Sequence, residues 1–201
     1  MTISEIRRDT KFWQRMLKLA GFYVGRIDGI RGVLQEAAET KWAQAEYEAK
    51  QEFGTFDERS EQNIATLLPS AQRIARMWLK QAKEEAAKLG YDVRIICGTR
   101  TYAEQDGLYA QGRTKKGAKV TNARGGYSWH NFGLAFDFGI FSTDCKTYYG
   151  ESQHYKTLGK LAMTLPNTTW GGTWKNPVDE PHIQLNMFGS VSKARIAFNS
   201  L

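Results

Sequence analysis

The stretch SWHNFGLAFDFGI, residues 128–140, decides how this chain is read. Its second half alternates in size and polarity. Taken as an extended strand, Leu134, Phe136, Phe138 and Ile140 point one way, and Ala135, Asp137 and Gly139 the other. The bulky set belongs in a core. The opposite face carries one carboxylate between small residues, which leaves clearance around it. His130 lies seven residues earlier, across a turn at Gly133, and a looped approach brings its imidazole beside Asp137. Both groups are zinc ligands, and a catalytic zinc takes three protein ligands with one position left open. DEPHIQL (179–185) offers the third. In strand geometry His182 and Gln184 share a face, opposite Pro181, Ile183 and Leu185. Asp179 precedes the bend at Pro181 and is a candidate general base, with Glu180 as its competitor.

Working outward, YDVRIIC (91–97) is rich in β-branched residues and reads as a strand. TYAEQDGLYAQG (101–112) reads as a short helix, and 113–127 as a basic, glycine-containing loop. Residues 151–164, which include His154 in a structural or exposed position, suggest another helix. TTWGGTW and PHIQL suggest two closing strands. Pro69 suits the first turn of a helix ending at Gly90, with Ala71, Ile74, Ala75, Trp78, Leu79 and Ala82 as its stripe. Helices and strands mix without βαβ alternation, so this part is expected to be α+β with a central antiparallel sheet. Upstream, Phe12, Trp13, Met16, Leu17 and Ala20 mark a helix over 10–20, capped by Asp9 or Thr10. The turn-dense FYVGRIDGIRG follows. A further helix is expected over 33–51, with Ala37, Ala38, Trp42, Ala45 and Ala49 facing inward. The polar FGTFDERSEQ separates a helical unit, 1–57, from the α+β domain, 58–201.

Composition narrows the field. The chain has 201 residues, and 10 Phe, 9 Tyr and 6 Trp supply a real core. No stretch approaches the roughly 18 apolar residues of a membrane span, and the first residues lack the apolar run of a secretory signal. Cys97 and Cys145 are too few for a disulfide framework. The net charge is +7, and all of it falls in residues 61–201, since residues 1–60 are neutral. Its densest patch, Arg113, Lys115, Lys116, Lys119 and Arg124, faces no acid within its own stretch and reads as a solvated loop. With three histidines in all, a histidine-dependent site has few ways to be built.

The pattern S-x-H-x-x-G-x-A-x-D, given by Ser128, His130, Gly133, Ala135 and Asp137, resembles the metal-binding signature of VanY-like cell-wall enzymes. These are the zinc D,D-carboxypeptidases and L-alanyl-D-glutamate endopeptidases. The D-x-P-H of that family matches Asp179 to His182, which favours Asp179 over Glu180 as base. GTRTYAEQDGLYAQGRT is similar to the segment carrying a substrate-contacting Arg, here Arg100, with Gln105 and Ser128 as further substrate contacts. The resemblance implies one Zn2+ per chain, held by His130, Asp137 and His182, and a fold of the type shared with Hedgehog domains. Residues 12–42 resemble the helical peptidoglycan-binding module, through Phe22, Asp28, Gly29 and the surrounding glycines. That module implies a three-helix unit and a modular, phage-type endolysin. The implied activity is bacteriolytic hydrolysis of peptidoglycan stem peptides by zinc-activated water at the L-Ala–D-Glu bond. The alternatives are D,D-carboxypeptidase or cross-bridge endopeptidase action at the same site, or, more remotely, a non-catalytic binder of wall or anionic polymer. The expected partner is peptidoglycan, without nucleic acid or membrane insertion. The chain is expected to be a monomer made in a host cytoplasm and released through a holin pore.

Overall fold

The structure, a computed structural model, describes residues 1–200. Four strands form one antiparallel sheet in the order β1-β2-β4-β3. They are β1 (Asp92–Cys97), β2 (Ala135–Phe141), β3 (Thr168–Trp170) and β4 (His182–Leu185). The parity expected for β2 is the one observed. Phe136 and Phe138 pack on Trp78, with ring centroids 5.5 and 4.6 Å away. Trp78 comes from α5 (Pro69–Lys88), whose apolar stripe is buried as expected. The indole N–H of Trp78 donates to the carbonyl of Leu158 at 3.1 Å. That bond ties α5 to α7 (Tyr155–Ala162), and the two helices cover the apolar face of the sheet. Asp137 and His182 therefore lie on the other face.

The N-terminal part holds α1 (Ile3–Arg8), α2 (Thr10–Leu19) and α3 (Val33–Phe53). The Asp9 carboxylate accepts from the Phe12 N–H at 3.0 Å and caps α2. Trp13 and Trp42 stack edge to face at 4.7 Å, joining α2 to α3. The inner face of α3 differs from the expected one at a single turn. Ala37 is exposed, and Gln35 takes the buried position, its side-chain amide donating to Glu39 at 3.0 Å. The FYVGRIDGIRG turn is pinned from α2. Gln14 donates to the Asp28 carboxylate at 2.9 Å and accepts from the Gly29 N–H at 2.9 Å.

The core does not stop at residue 57. Beyond it run α4 (Glu58–Ile64), α6 (Tyr102–Ala110) and the C-terminal α8 (Val191–Asn199). Phe12 of α2 packs against Phe198 of α8 at 5.3 Å, and Phe198 against Phe132 at 5.4 Å. One continuous cluster of buried apolar residues joins the N-terminal helices to the sheet domain.

Candidate metal centre

Three elements deliver three donors to one point. Strand pairing supplies the first two. Asp137 of β2 is registered directly against His182 of β4, and directly opposed residues project their side chains on the same face. The third arrives on a 3-10 turn, Trp129–Phe132, that ends in Gly133 at φ +66°. A Cβ at Gly133 would lie 2.6 Å from the Met16 methyl and 2.9 Å from the Leu68 N–H nitrogen, so both conformation and space demand glycine. The turn buries His130, which is 2% exposed, beside Asp137.

The donor atoms form a triangle. His130 Nε2, His182 Nδ1 and one Asp137 oxygen are each 3.2 Å from the other two. Four-coordinate zinc with ligands at about 2.0–2.1 Å has ligand–ligand edges of about 3.3 Å. Each imidazole is held with its far nitrogen engaged. His130 Nδ1–H donates to the Gly98 carbonyl at 2.7 Å, and His182 Nε2–H donates to Gln184 Oε1 at 3.1 Å. Those bonds take the one proton of each neutral ring. Two lone pairs and a carboxylate oxygen then face each other, with the Arg100 guanidinium 3.5 Å from His130 Nε2, and a bound cation would satisfy all three donors. The protonation states suit a metal. Burial holds the His130 imidazole below its ordinary pKa, so it is neutral. Despite its burial, the Asp137 carboxyl is held well below its ordinary range and is a carboxylate. The residues fit zinc, with the side facing the cleft left open.

Around the triangle lies a cleft of about 680 Å³. Asp179 lines it, whereas the Glu180 carboxylate turns away toward Lys156 at 3.8 Å. Burial, reinforced by the negative charge of Asp137, raises the Asp179 carboxyl above its ordinary value. Trp174 closes over His182 at 5.0 Å between ring centroids. Ser128 also lines the cleft.

Arg100 sits deeper than a simple substrate contact. Its guanidinium donates to Asp137 at 2.6 Å, to Cys97 Sγ at 3.1 Å and to Gln105 at 3.2 Å. A guanidinium has five N–H groups; these three bonds and the longer approach of Nη2 to His130 Nε2, 3.5 Å, leave one for the cleft. Gln105 differs from expectation. It is fully buried and does not line the cleft; its amide accepts from Arg100 and donates to the Ala123 carbonyl at 2.9 Å. It positions Arg100 and the neighbouring loop rather than substrate. Phe22, Asp28 and Gly29 likewise serve their own turn. Phe22 packs against the core, and the other two are bonded to Gln14. Cys97 was not singled out by the sequence. An irregularity in the β1–β2 pairing between Ile95 and Cys97 sets it opposite Asp137, and burial pushes its thiol up to about 11. His154 is remote from the centre, stacked on Tyr91 at 4.9 Å.

An open His/Asp/His donor set on an antiparallel sheet, with a carboxylate and a guanidinium in the same cleft, is the layout of a metallopeptidase. Residues 70–166 match the family described as VanY, D-alanyl-D-alanine carboxypeptidase. The matched segment contains Arg100, His130 and Asp137. It is also similar to the peptidoglycan L-alanyl-D-glutamate endopeptidase CwlK of Bacillus subtilis (strain 168). The two are 45% identical over 111 residues, which cover 51% of this chain and 66% of that protein, just under two thirds of its length.

Proposed function

We propose that this protein is a zinc peptidase that cuts the stem peptide of peptidoglycan between L-Ala and D-Glu. The observation that carries the reading is the triangle of donors, 3.2 Å on each edge, facing a cleft that also holds Asp179. His130, Asp137 and His182 would hold the metal. When bound, it would supply Lewis acidity toward the scissile carbonyl and toward water. Asp179 accepts the proton of the attacking water on its carboxylate and returns it to the leaving amine. Its raised pKa brings it closer to working pH, which suits both halves of that transfer. The remaining N–H of Arg100, which lines the cleft, stabilises the developing oxyanion. Similarity to CwlK favours the L-Ala–D-Glu bond, and the VanY match keeps D,D-carboxypeptidase action as the second reading.

The endolysin role, the division at residue 57 and the wall-anchoring role of residues 1–57 belong to the same proposal. Val24, Ile30, Val33 and Leu34 of that unit expose 80, 69, 79 and 53% of their surface, apolar area suited to a wall contact. Deleting the unit would open the shared core, so anchoring is tested by Val24→Ser/Ile30→Ser/Val33→Ser and pull-down on purified sacculi. Unchanged binding would refute it. The activity is tested by mass spectrometry of sacculi digested with the zinc-loaded protein. A new N-terminal D-Glu supports the reading; released D-Ala alone supports the second; full activity after complete metal removal overturns both.

A further inference from the structure

The basic stretch 113–124 is exposed over most of its length, as read from sequence, yet it is braced, and its residues 119–123 form one wall of the cleft. Arg113 donates to the carbonyls of Tyr109 at 2.6 Å and Thr121 at 3.0 Å, and to the Asn122 side chain at 3.1 Å. The buried Gln105 holds the Ala123 carbonyl. At Gly112, φ +67°, the loop passes so close that a Cβ would lie 2.6 Å from the Lys119 backbone nitrogen. Residues 119–123 then line the cleft, with Trp174 and Asp179 among its other lining residues.

The charges of this loop are not equivalent. Arg113 and Arg124 lie over the Tyr109 ring, 3.8 and 5.0 Å from its centroid. Lys115 and Lys116 do not line the cleft. Arg100 has its charge matched by Asp137. Lys119 is left as the one lysine lining the cleft, and no carboxylate among the described residues lies within ion-pair distance of it. Asn122, which also lines the cleft, adds an amide beside it.

We infer that Lys119 is a specificity residue that takes a substrate carboxylate flanking the scissile bond. The inference rests on the peptidase reading above. Peptidoglycan stem peptides offer two candidates: the α-carboxylate of D-Glu, which flanks the L-Ala–D-Glu bond, and the chain-terminal carboxylate, which flanks the bond cut in the D,D-carboxypeptidase reading. In the first case, amidation of that carboxylate would be discriminated against by charge alone. An ammonium is a compact point charge, and a charged hydrogen bond is worth about tenfold or more in affinity.

The test uses the full chain and three synthetic stem peptides. One has a free D-Glu α-carboxylate and an amidated terminus, one the reverse, and one both groups amidated. Zinc-loaded protein is assayed for kcat and KM, and metal-free protein for binding by calorimetry. The expected result is that one of the mono-carboxylate peptides is favoured about tenfold over the doubly amidated one. Lys119→Gln erases that preference through KM, Lys119→Arg keeps most of it, and cleavage of the doubly amidated peptide does not change. Which peptide is favoured tells which carboxylate is read. Lys119-dependent binding without cleavage supports the carboxylate site and refutes the peptidase reading. No preference in the wild-type protein, or an equal loss by Lys119→Gln on all peptides, overturns the inference.

Discussion

Gln184→Leu isolates the contribution of a single hydrogen bond to the metal centre. His182 Nε2–H donates to Gln184 Oε1 at 3.1 Å, and Gln184 cannot drift, because its own amide donates to Asn186 at 2.8 Å and Asn186 donates to Thr169 at 2.6 Å. The chain of bonds ends on β3, so the His182 ring is oriented from the neighbouring strand. Leucine has nearly the same volume and no acceptor. His182 then loses the partner that fixes its proton on Nε2 and its lone pair on Nδ1, where the metal would bind. Outer bonds of this kind are worth about 10–100-fold in metal affinity, or roughly 1.4–2.7 kcal/mol. Both residues are nearly buried, 5 and 8% exposed, so water does not substitute for the lost acceptor. Competition with a chromophoric zinc chelator measures the affinity directly, and metal-free melting curves control for folding. Gln184→Glu restores an acceptor and should retain or tighten binding. Wild-type zinc affinity in Gln184→Leu would refute the argument that the outer bonds, rather than the three donors alone, define this centre.

Glu61 forms a two-pronged pair with the fully buried Arg76, both contacts at 2.7 Å. Burial raises its pKa, but Arg76, the Phe56 N–H and Lys50 outweigh burial and hold it below the ordinary 4.5. A depressed carboxyl stabilises fully above its unfolded pKa and loses that stabilisation as pH falls through the folded value, so acid melting below about pH 4.5 should flatten in Glu61→Gln. At neutral pH the same variant should lose on the order of 3 kcal/mol by denaturant titration, because Arg76 is left buried and unpaired. Gly159→Ala places a methyl against the Trp170 indole, whose N–H donates to the Glu180 carbonyl at 2.7 Å. It should cost about 1–3 kcal/mol and lower kcat, since the displaced segment carries Asp179; unchanged kcat with lost stability would sever that link. Phe12→Ala should cost about 3–4 kcal/mol and leave one cooperative melt; a second transition at the wild-type temperature would show the two parts unfolding independently.

What was legible in the sequence followed from short periods. A two-residue alternation in β2 admits one parity, so the core face of Phe136 and Phe138 and the opposite face of Asp137 could be read directly. The α5 stripe repeats over four turns and could be read as well. The rest depends on distance in the chain. The pairing of Asp137 with His182 joins residues 45 apart, and the Gly98 carbonyl that orients His130 sits 32 residues away. Neither leaves a local signal. Gln105 was expected against substrate because an amide five residues after Arg100 looks the same whether it faces substrate or the back of Arg100. The α8 helix escaped notice because nine residues bury only Ala194 and Phe198, too sparse a stripe, although Ser190 does cap it. Ala37 and Gln35 exchanged faces because alanine carries almost no hydrophobic signal, while Gln35 is buried with a partner in Glu39.

The continuity of the core changes what the N-terminal helices are for. Met16 of α2 presses on Gly133, the residue that ends the turn bearing His130, and the Gly133 carbonyl accepts from the Leu68 N–H at 2.9 Å. Gly98 is wedged in the same way between Thr66 and the carbonyl of Asn63 while its own carbonyl fixes the His130 tautomer. The donor triangle is thus braced from behind by α2 and by the α4–α5 connection, and interior packing transmits strain with little compliance. A free, linker-joined binding module could not do this. The exposed patch at Val24, Ile30 and Val33 therefore stands at a fixed offset from the cleft. The proposed wall contact at that patch would then do more than raise local concentration: it would restrict which stem peptides, at what distance along the wall, reach His130, Asp137 and His182.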